Sequence, residues 1–253
     1  MEIGITLLII IFLLGLSLGS FLNVVIFRYL SGGSIISPRS YCPHCLHSLQ
    51  WFDLIPVLSF FLLKGKCRYC SEMIPFSYPL VEFLTGLIFI ICLFYYGFTP
   101  EFLKYTFVLC LLLLISVIDQ KKQIVPNVFV IVLFSWLIVW HIVLPHLTNL
   151  SALVGFLAGG LLFFIIALVS KGGMGGGDIK LMAVLGFAVG WPYVLILFLL
   201  SFIIGAAVGV SLMLFCSKSK ESPLAFAPFL SLSYFIILFW GEEIWWMYYY
   251  YIL

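Results

Sequence analysis

Two of the chain's three aspartates stand at the edges of long apolar runs. Asp119 ends the run Leu111 to Ile118, just ahead of Gln120-Lys121-Lys122, and Asp178 follows Gly172-Gly173-Met174-Gly175-Gly176-Gly177. An ionisable side chain at membrane depth is costly, so it is a functional candidate by default. Two carboxylates that converge on one water can split a peptide bond. The ionised one takes a proton from the water while the protonated one polarises the scissile carbonyl. Close approach keeps both from ionising together, so they would titrate as a coupled pair. Asp178 at a helix start gains from the helix dipole and Asp119 at a helix end loses by it, which assigns the shared proton to Asp119. Gly175 and Gly177 leave bare backbone beside Asp178 where a substrate strand would fit, and Lys180 completes this supporting loop. The plainer alternative is that Asp178 caps a helix and Asp119 marks a membrane boundary. A phosphate-binding loop would need a preceding strand and a following Gly-Lys-Ser/Thr, and neither is there.

A second cluster has metal-ligand spacing. Cys42-Pro-His-Cys45 and Cys67-Arg-Tyr-Cys70 are two C-x-x-C pairs separated by 21 residues, a zinc-ribbon-like pattern. Each pair turns two thiolates toward one point, and two pairs complete a tetrahedral four-sulfur site with no open position. Such a site is structural, and it would supply much of the folding energy of a segment too short to own a core. His44 and His47 are near enough in sequence to substitute as ligands, but four sulfurs suffice. Redox pairing and plain buried cysteines are the alternatives; a reducing cytosol makes disulfides a poor one. Cys92, Cys110 and Cys216 lie in or at the end of apolar runs and read as small buried residues. Asp53, among these polar residues, is expected to be solvated.

The elements that must position these groups are membrane helices. Apolar residues make up 64% of the chain and charged ones only 9%, with mean hydropathy +1.26, a balance that excludes a soluble domain. The apolar runs are continuous, which excludes the alternation of a β-barrel. Eight spans are expected, at about 3–27, 78–98, 102–118, 127–145, 150–170, 180–191, 193–215 and 224–240. The break between the sixth and seventh rests on Trp191-Pro192. With the N-terminus outside, eight alternating spans put eleven of the twelve basic residues in the cytoplasm, including Lys171, Lys218 and Lys220, and leave only Lys104 outside. The C-terminal Trp245-Trp246 and Tyr248 to Tyr251 then form an aromatic anchor at the outer interface. No basic region precedes the first run, so it reads as a retained helix, and no internal repeat is evident. The expected organisation is a first helix at 1–28, a cytoplasmic zinc-ribbon-like domain at 29–77 and a transmembrane domain at 78–253 that holds both aspartates.

Taken together these residues resemble the type IV prepilin peptidases, which belong with the Gly-x-Gly-Asp intramembrane aspartyl proteases. The resemblance runs through Gly19-Ser20-Phe21-Leu22-Asn23-Val24-Val25-Ile26-Phe27-Arg28, Pro38-Arg39-Ser40, the four cysteines, Asp53-Leu54-Ile55-Pro56 and Tyr78-Pro79-Leu80-Val81-Glu82. It ends with Asp119, Ile124-Val125-Pro126-Asn127 and Gly175-Gly176-Gly177-Asp178-Ile179-Lys180. It implies an enzyme of the bacterial inner membrane with catalytic Asp119 and Asp178. Its substrates would be prepilins or pseudopilins of pilus, type II secretion or competence systems, cut after a Gly at the cytoplasmic face; no nucleic acid is implied. Many members also methylate the new N-terminus with S-adenosylmethionine, and Asn23, Arg28 and Glu82 are the polar positions near the cytoplasmic domain that this would engage. The same three residues also read as helix-end hydrogen bonding and charge pairing. Asn127 departs from a position where an acidic residue is frequent, and Met174-Gly175-Gly176 replaces an Ala-rich stretch.

Three other readings explain some of these features. One is a Gly-x-Gly-Asp membrane protease without methyl transfer. A carboxylate-relay transporter would favour aspartates near the bilayer midplane and related halves. A membrane anchor presenting a zinc ribbon would leave the aspartates without a purpose.

Overall fold

The computed structural model describes residues 4–34, 39–170, 173–216 and 224–252. Pro38 of the family-like segment, Lys171, Gly172, Lys218 and Lys220 lie outside the described residues, as do the side chains of Tyr248, Tyr249 and Tyr251. The described residues form an all-helical polytopic membrane protein with two isolated β-bridges and no longer strand.

Among the described residues nine α-helices follow one another: α1 (Ile5–Ser31), α2 (Leu58–Leu62), α3 (Ser77–Tyr96), α4 (Pro100–Lys122), α5 (Asn127–Val143), α6 (Asn149–Val169), α7 (Gly176–Val189), α8 (Tyr193–Cys216) and α9 (Ala227–Ile252). A 3₁₀ turn at Trp51–Leu54 precedes α2. All but α2 correspond to the eight expected spans. Six of them are long and apolar enough to cross a bilayer, whereas α5 has 17 residues and α7 has 14. The break at Trp191-Pro192 is real: α7 stops at Val189, and Gly190 takes φ +71°, which glycine alone adopts without strain. Two boundaries moved. α1 continues past the expected end to Ser31, which leaves Arg28 in its last turn. α9 runs through the C-terminal aromatic cluster instead of ending before it.

The chain forms two compact units, Met1–Cys110 and Leu111–Leu253, with the division inside α4. In the first, α1 packs along α3, and residues 32–76 between them carry the cysteines. In the second, α6 lies against α7 and α8 against α9. A Cβ on Gly155 would collide with the Gly186 carbonyl and one on Gly186 with the Gly155 carbonyl. The small residues therefore let the α6 and α7 backbones approach as membrane helices do when no hydrophobic force drives them together.

Candidate functional site

Asp119 and Asp178 both belong to the second unit. Asp119, in the last turn of α4, is 4% exposed. Its Oδ2 accepts the Ala227 N–H at 3.0 Å, and the Phe226 N–H also bonds the carboxylate. Ala227 opens α9, so Asp119 occupies a helix N-terminus that belongs to a different helix. The expectation that only Asp178 would enjoy such a position, leaving Asp119 with the shared proton, loses its basis. A helix start stands against each carboxylate, and the dipole argument no longer separates them.

Ser116, one turn before Asp119, donates to the Leu112 carbonyl at 2.7 Å and shares a 2.8 Å contact with Ser231. Ser231 in turn donates to the Ala227 carbonyl at 2.8 Å. α4 and α9 are thus clasped at two levels, by carboxylate to amide and by hydroxyl to hydroxyl. Neither serine was singled out in the sequence. Their signal is weak, since a serine in an apolar helix ordinarily bonds its own backbone.

Asp178 lies in the first turn of α7, and the Gly175 N–H bonds its carboxylate from the N-cap position. The remaining oxygen, Oδ1, is buried and has no hydrogen-bond partner among the described residues. A buried, unpartnered carboxylate oxygen is expensive and calls for a function. The two carboxylates interact electrostatically, so the structure brings together two residues 59 apart in sequence. Gly177 behaves differently from expectation. A Cβ on Gly177 would lie 2.7 Å from Val125 Cβ, so that space is filled by the chain itself and holds no substrate. Gly175 is exposed, and a Cβ there would meet only Asp178 Oδ2 at 3.1 Å. Lys180 is exposed and donates from Nζ to Asn127 Oδ1 at 3.0 Å, tying the start of α7 to the start of α5.

In the first unit the four cysteines meet. Their sulfurs all lie within 4.8 Å of one another, with Cys42 and Cys70 at 3.8 Å. Tetrahedral zinc with Zn–S of about 2.3 Å requires S···S of about 3.8 Å, so the cluster fits the metal. Gathering four thiolates without a cation is unfavourable. The Glu72 backbone N–H assists the Cys70 thiolate, but desolvation and the sulfurs of Cys67, Cys45 and Cys42 outweigh it, and the Cys70 thiol is pushed up to about 12. His47 is not drawn into the cluster; it stacks on Tyr69 with ring centroids 3.7 Å apart.

The two cysteine turns are copies. In one, Cys42 N–H bonds the His47 carbonyl, Leu46 N–H the Cys42 carbonyl and Leu49 N–H the Ser40 carbonyl. In the other, Cys67 bonds Glu72, Ser71 bonds Cys67 and Ile74 bonds Gly65 in the same way. The β-bridges Tyr41–Ser48 and Lys66–Met73 and the left-handed residues Leu46 and Ser71 match as well. A repeat is therefore present in the backbone, although only the cysteines reveal it in the sequence. Asp53, expected to be solvated, has a side chain only 3% exposed. It accepts from Arg68 Nε at 2.7 Å, Tyr69 Oη at 3.1 Å and the Gln50 N–H at 3.1 Å. Burial works against its anion, but these donors prevail and hold the carboxyl below its usual range.

Asn23, Arg28 and Glu82 line one cavity of about 180 Å³ with Tyr41, Tyr78 and Asp53. Glu82 Oε2 accepts the Val57 N–H at 2.7 Å, and Ser20 and Asn23 also bond this carboxylate. Asn23 donates to the Tyr78 carbonyl at 2.9 Å, and Arg28 Nη1 donates to the Ser34 carbonyl at 2.8 Å. Val57 sits at φ +62°, ψ −50°, an outlier for a β-branched residue.

Fold and sites define a class: a polytopic membrane protein with an interacting carboxylate pair at two helix starts and a four-cysteine cluster whose spacing fits a metal ion. Comparison with known proteins makes this particular. Residues 13–96 match the bacterial peptidase A24 N-terminal domain, and residues 106–210 match the type IV leader peptidase family. The prepilin leader peptidase/N-methyltransferase of Bacillus subtilis is 36% identical over 235 residues, covering 93% of this chain and 95% of that protein. Proteins of the same name from Aeromonas salmonicida and Pseudomonas aeruginosa are 32% and 33% identical, each over 92% of this chain and 91% and 90% of their own. No solved structure matches the chain. The chain belongs to the type IV leader peptidase family and is a membrane-embedded peptidase of that class.

Proposed function

We propose that the protein removes the basic leader from prepilin or pseudopilin precursors after a Gly and methylates the amine so released, with Asp119 and Asp178 as the catalytic pair. What supports this reading is that two carboxylates from separate helices lie close enough to interact electrostatically, one of them with a buried oxygen left unpartnered among the described residues. In the proposed reaction one carboxylate, ionised, removes a proton from water as the water oxygen attacks the scissile carbonyl carbon. The other, protonated, donates to the carbonyl oxygen. Collapse of the tetrahedral intermediate breaks the C–N bond, and the proton taken from water passes to the leaving amine.

Gly175 leaves the approach to Asp178 open, and Lys180 with Asn127 fixes the turn that carries it. Positive residues at one set of helix ends support a bacterial inner-membrane enzyme with its N-terminus outside and its active site facing the cytoplasm. Zinc held by Cys42, Cys45, Cys67 and Cys70 would be structural, organising residues 29–77 beside the first helix at 1–28, while 78–253 forms the protease domain.

The cavity around Asn23, Arg28 and Glu82 suits a small charged organic molecule, since apolar walls enclose a few converging polar groups. S-adenosylmethionine bound there would supply an electrophilic methyl group. Glu82 would face its positive charge, while Asn23 and Arg28 would orient its polar ends.

The test is cleavage of a pilin-like precursor by the wild type, Asp119→Ala and Asp178→Ala, with methyl incorporation followed in parallel. Each alanine variant should lose about 10²–10⁴-fold in cleavage rate. Full cleavage by either one removes that residue from the catalytic pair. Full methylation of a pre-cleaved substrate by Glu82→Ala would dismiss the cavity as the methyl-donor site.

A further inference from the structure

α2 carries apolar side chains on both of its faces. Ser59, Phe60 and Leu63 turn inward and line the cavity. Leu58, Phe61 and Leu62, spaced i, i+3 and i+4, point outward and are 53%, 63% and 71% exposed. A short helix on the surface of a water-soluble domain would be polar on that side, and one that is apolar all round is covered by something apolar. Trp51, in the 3₁₀ turn packed against α2, extends the patch at 76% exposure. An apolar surface of this kind on an otherwise polar segment marks an interaction site.

What covers it follows from where α2 is held. Val57, at its N-terminus, bonds Glu82, the sixth residue of α3, at 2.7 Å. Glu82 is therefore about 7 Å along the α3 axis from its first residue. α3 is one of the membrane-spanning helices. Phe60 also meets Phe76, the residue just before α3, with ring centroids 6.1 Å apart. α2 is thus held at the opening turns of a spanning helix, on which Leu80 and Phe83 are themselves exposed. Lys64 and Lys66 follow it immediately, both exposed.

We infer that α2 is an interfacial helix whose Leu58, Phe61 and Leu62 enter the boundary between lipid headgroups and acyl chains. Trp51 lies at the headgroup level, and Lys64 and Lys66 meet anionic headgroups. The metal-binding segment is seated in the bilayer surface by this contact as well as by its two helical ends. Aromatic residues with basic neighbours are the chemistry such a boundary selects.

The full chain with its metal, reconstituted in vesicles of phosphatidylcholine and phosphatidylglycerol, supplies the test. A naphthalene-bearing fluorescent amino acid is placed at the patch (Leu62→Anap, with Phe61→Anap as a second variant) and at the exposed position Glu72 (Glu72→Anap). At 61 and 62 the emission should be quenched several-fold more by lipids brominated near the headgroup end of the chain than by iodide in the water. At 72 the order should reverse. Iodide quenching at 61 and 62 overturns the proposal by placing the patch in water. Quenching by neither agent also overturns it, since protein then covers the patch. The readout is independent of cleavage, so the membrane contact and the protease reading stand or fall separately.

Discussion

In the segment between α1 and α3 polar groups are numerous and answer one another. Asp53 alone receives a guanidinium, a phenol and a backbone N–H. From Leu111 onward the two carboxylates are each met by the start of a helix: α9 delivers its first N–H to Asp119, and the Gly175 N–H at the start of α7 bonds Asp178. The first arrangement is made from local turns and a cluster of four cysteines, within about 35 residues of chain. The second is made from helices whose only requirement is close packing. The difference teaches where each region should fail. A local cluster falls apart when its central ion leaves, whereas a packed bundle loses its chemistry when one backbone is pushed aside.

Metal removal should produce the largest effect. Four-thiolate zinc sites in small domains contribute about 10–16 kcal/mol. Chelation, or Cys42→Ser with Cys67→Ser, should open residues 39–76 to protease while the helices after Leu111 keep their protection. Mass spectrometry of the fragments checks this, and equal protection in both regions would break the contrast.

Gly177→Val comes next. Even the Cβ would come within 2.7 Å of Val125 Cβ, so the start of α7 must shift. Overpacking of this kind costs about 1–3 kcal/mol. Cleavage should fall much further than thermal stability does, because Asp178 is the next residue.

Ser231→Ala removes the hydroxyl that joins Ser116 to the start of α9, at a cost of about 1 kcal/mol. A lower kcat at unchanged KM is expected, with recovery in Ser231→Thr.

The smallest effect concerns pH and the first unit. Burial works to raise the Asp53 carboxyl, but its donors hold it below the unfolded value of about 3.9. The stability it supplies is therefore complete above that value and is lost as pH falls through the folded one. Asp53→Asn should cost on the order of 1 kcal/mol at neutral pH. The gap from wild type should close below about pH 4, as read by hydrogen exchange at Gln50 and Arg68.

Much of this architecture was legible in the sequence. Continuous apolar runs have only one solvent, so the membrane helices followed from length and composition. The cysteine spacing is a local geometric instruction, and the four sulfurs meet as that spacing requires. Charge is so scarce that Asp119 and Asp178 stood out at once. Other features depended on contacts between distant residues, which a linear pattern does not encode. The filling of Gly177's space by Val125 belongs here, and so does the capture of Asp53 by Arg68 and Tyr69. So do the helix start that α9 offers Asp119 and the bond from Val57 to Glu82 that ties the start of α2 to α3. Composition and spacing determine what each segment must bury or bind. Only the packed chain decides which backbone N–H reaches which carboxylate, because that depends on how closely two helices approach.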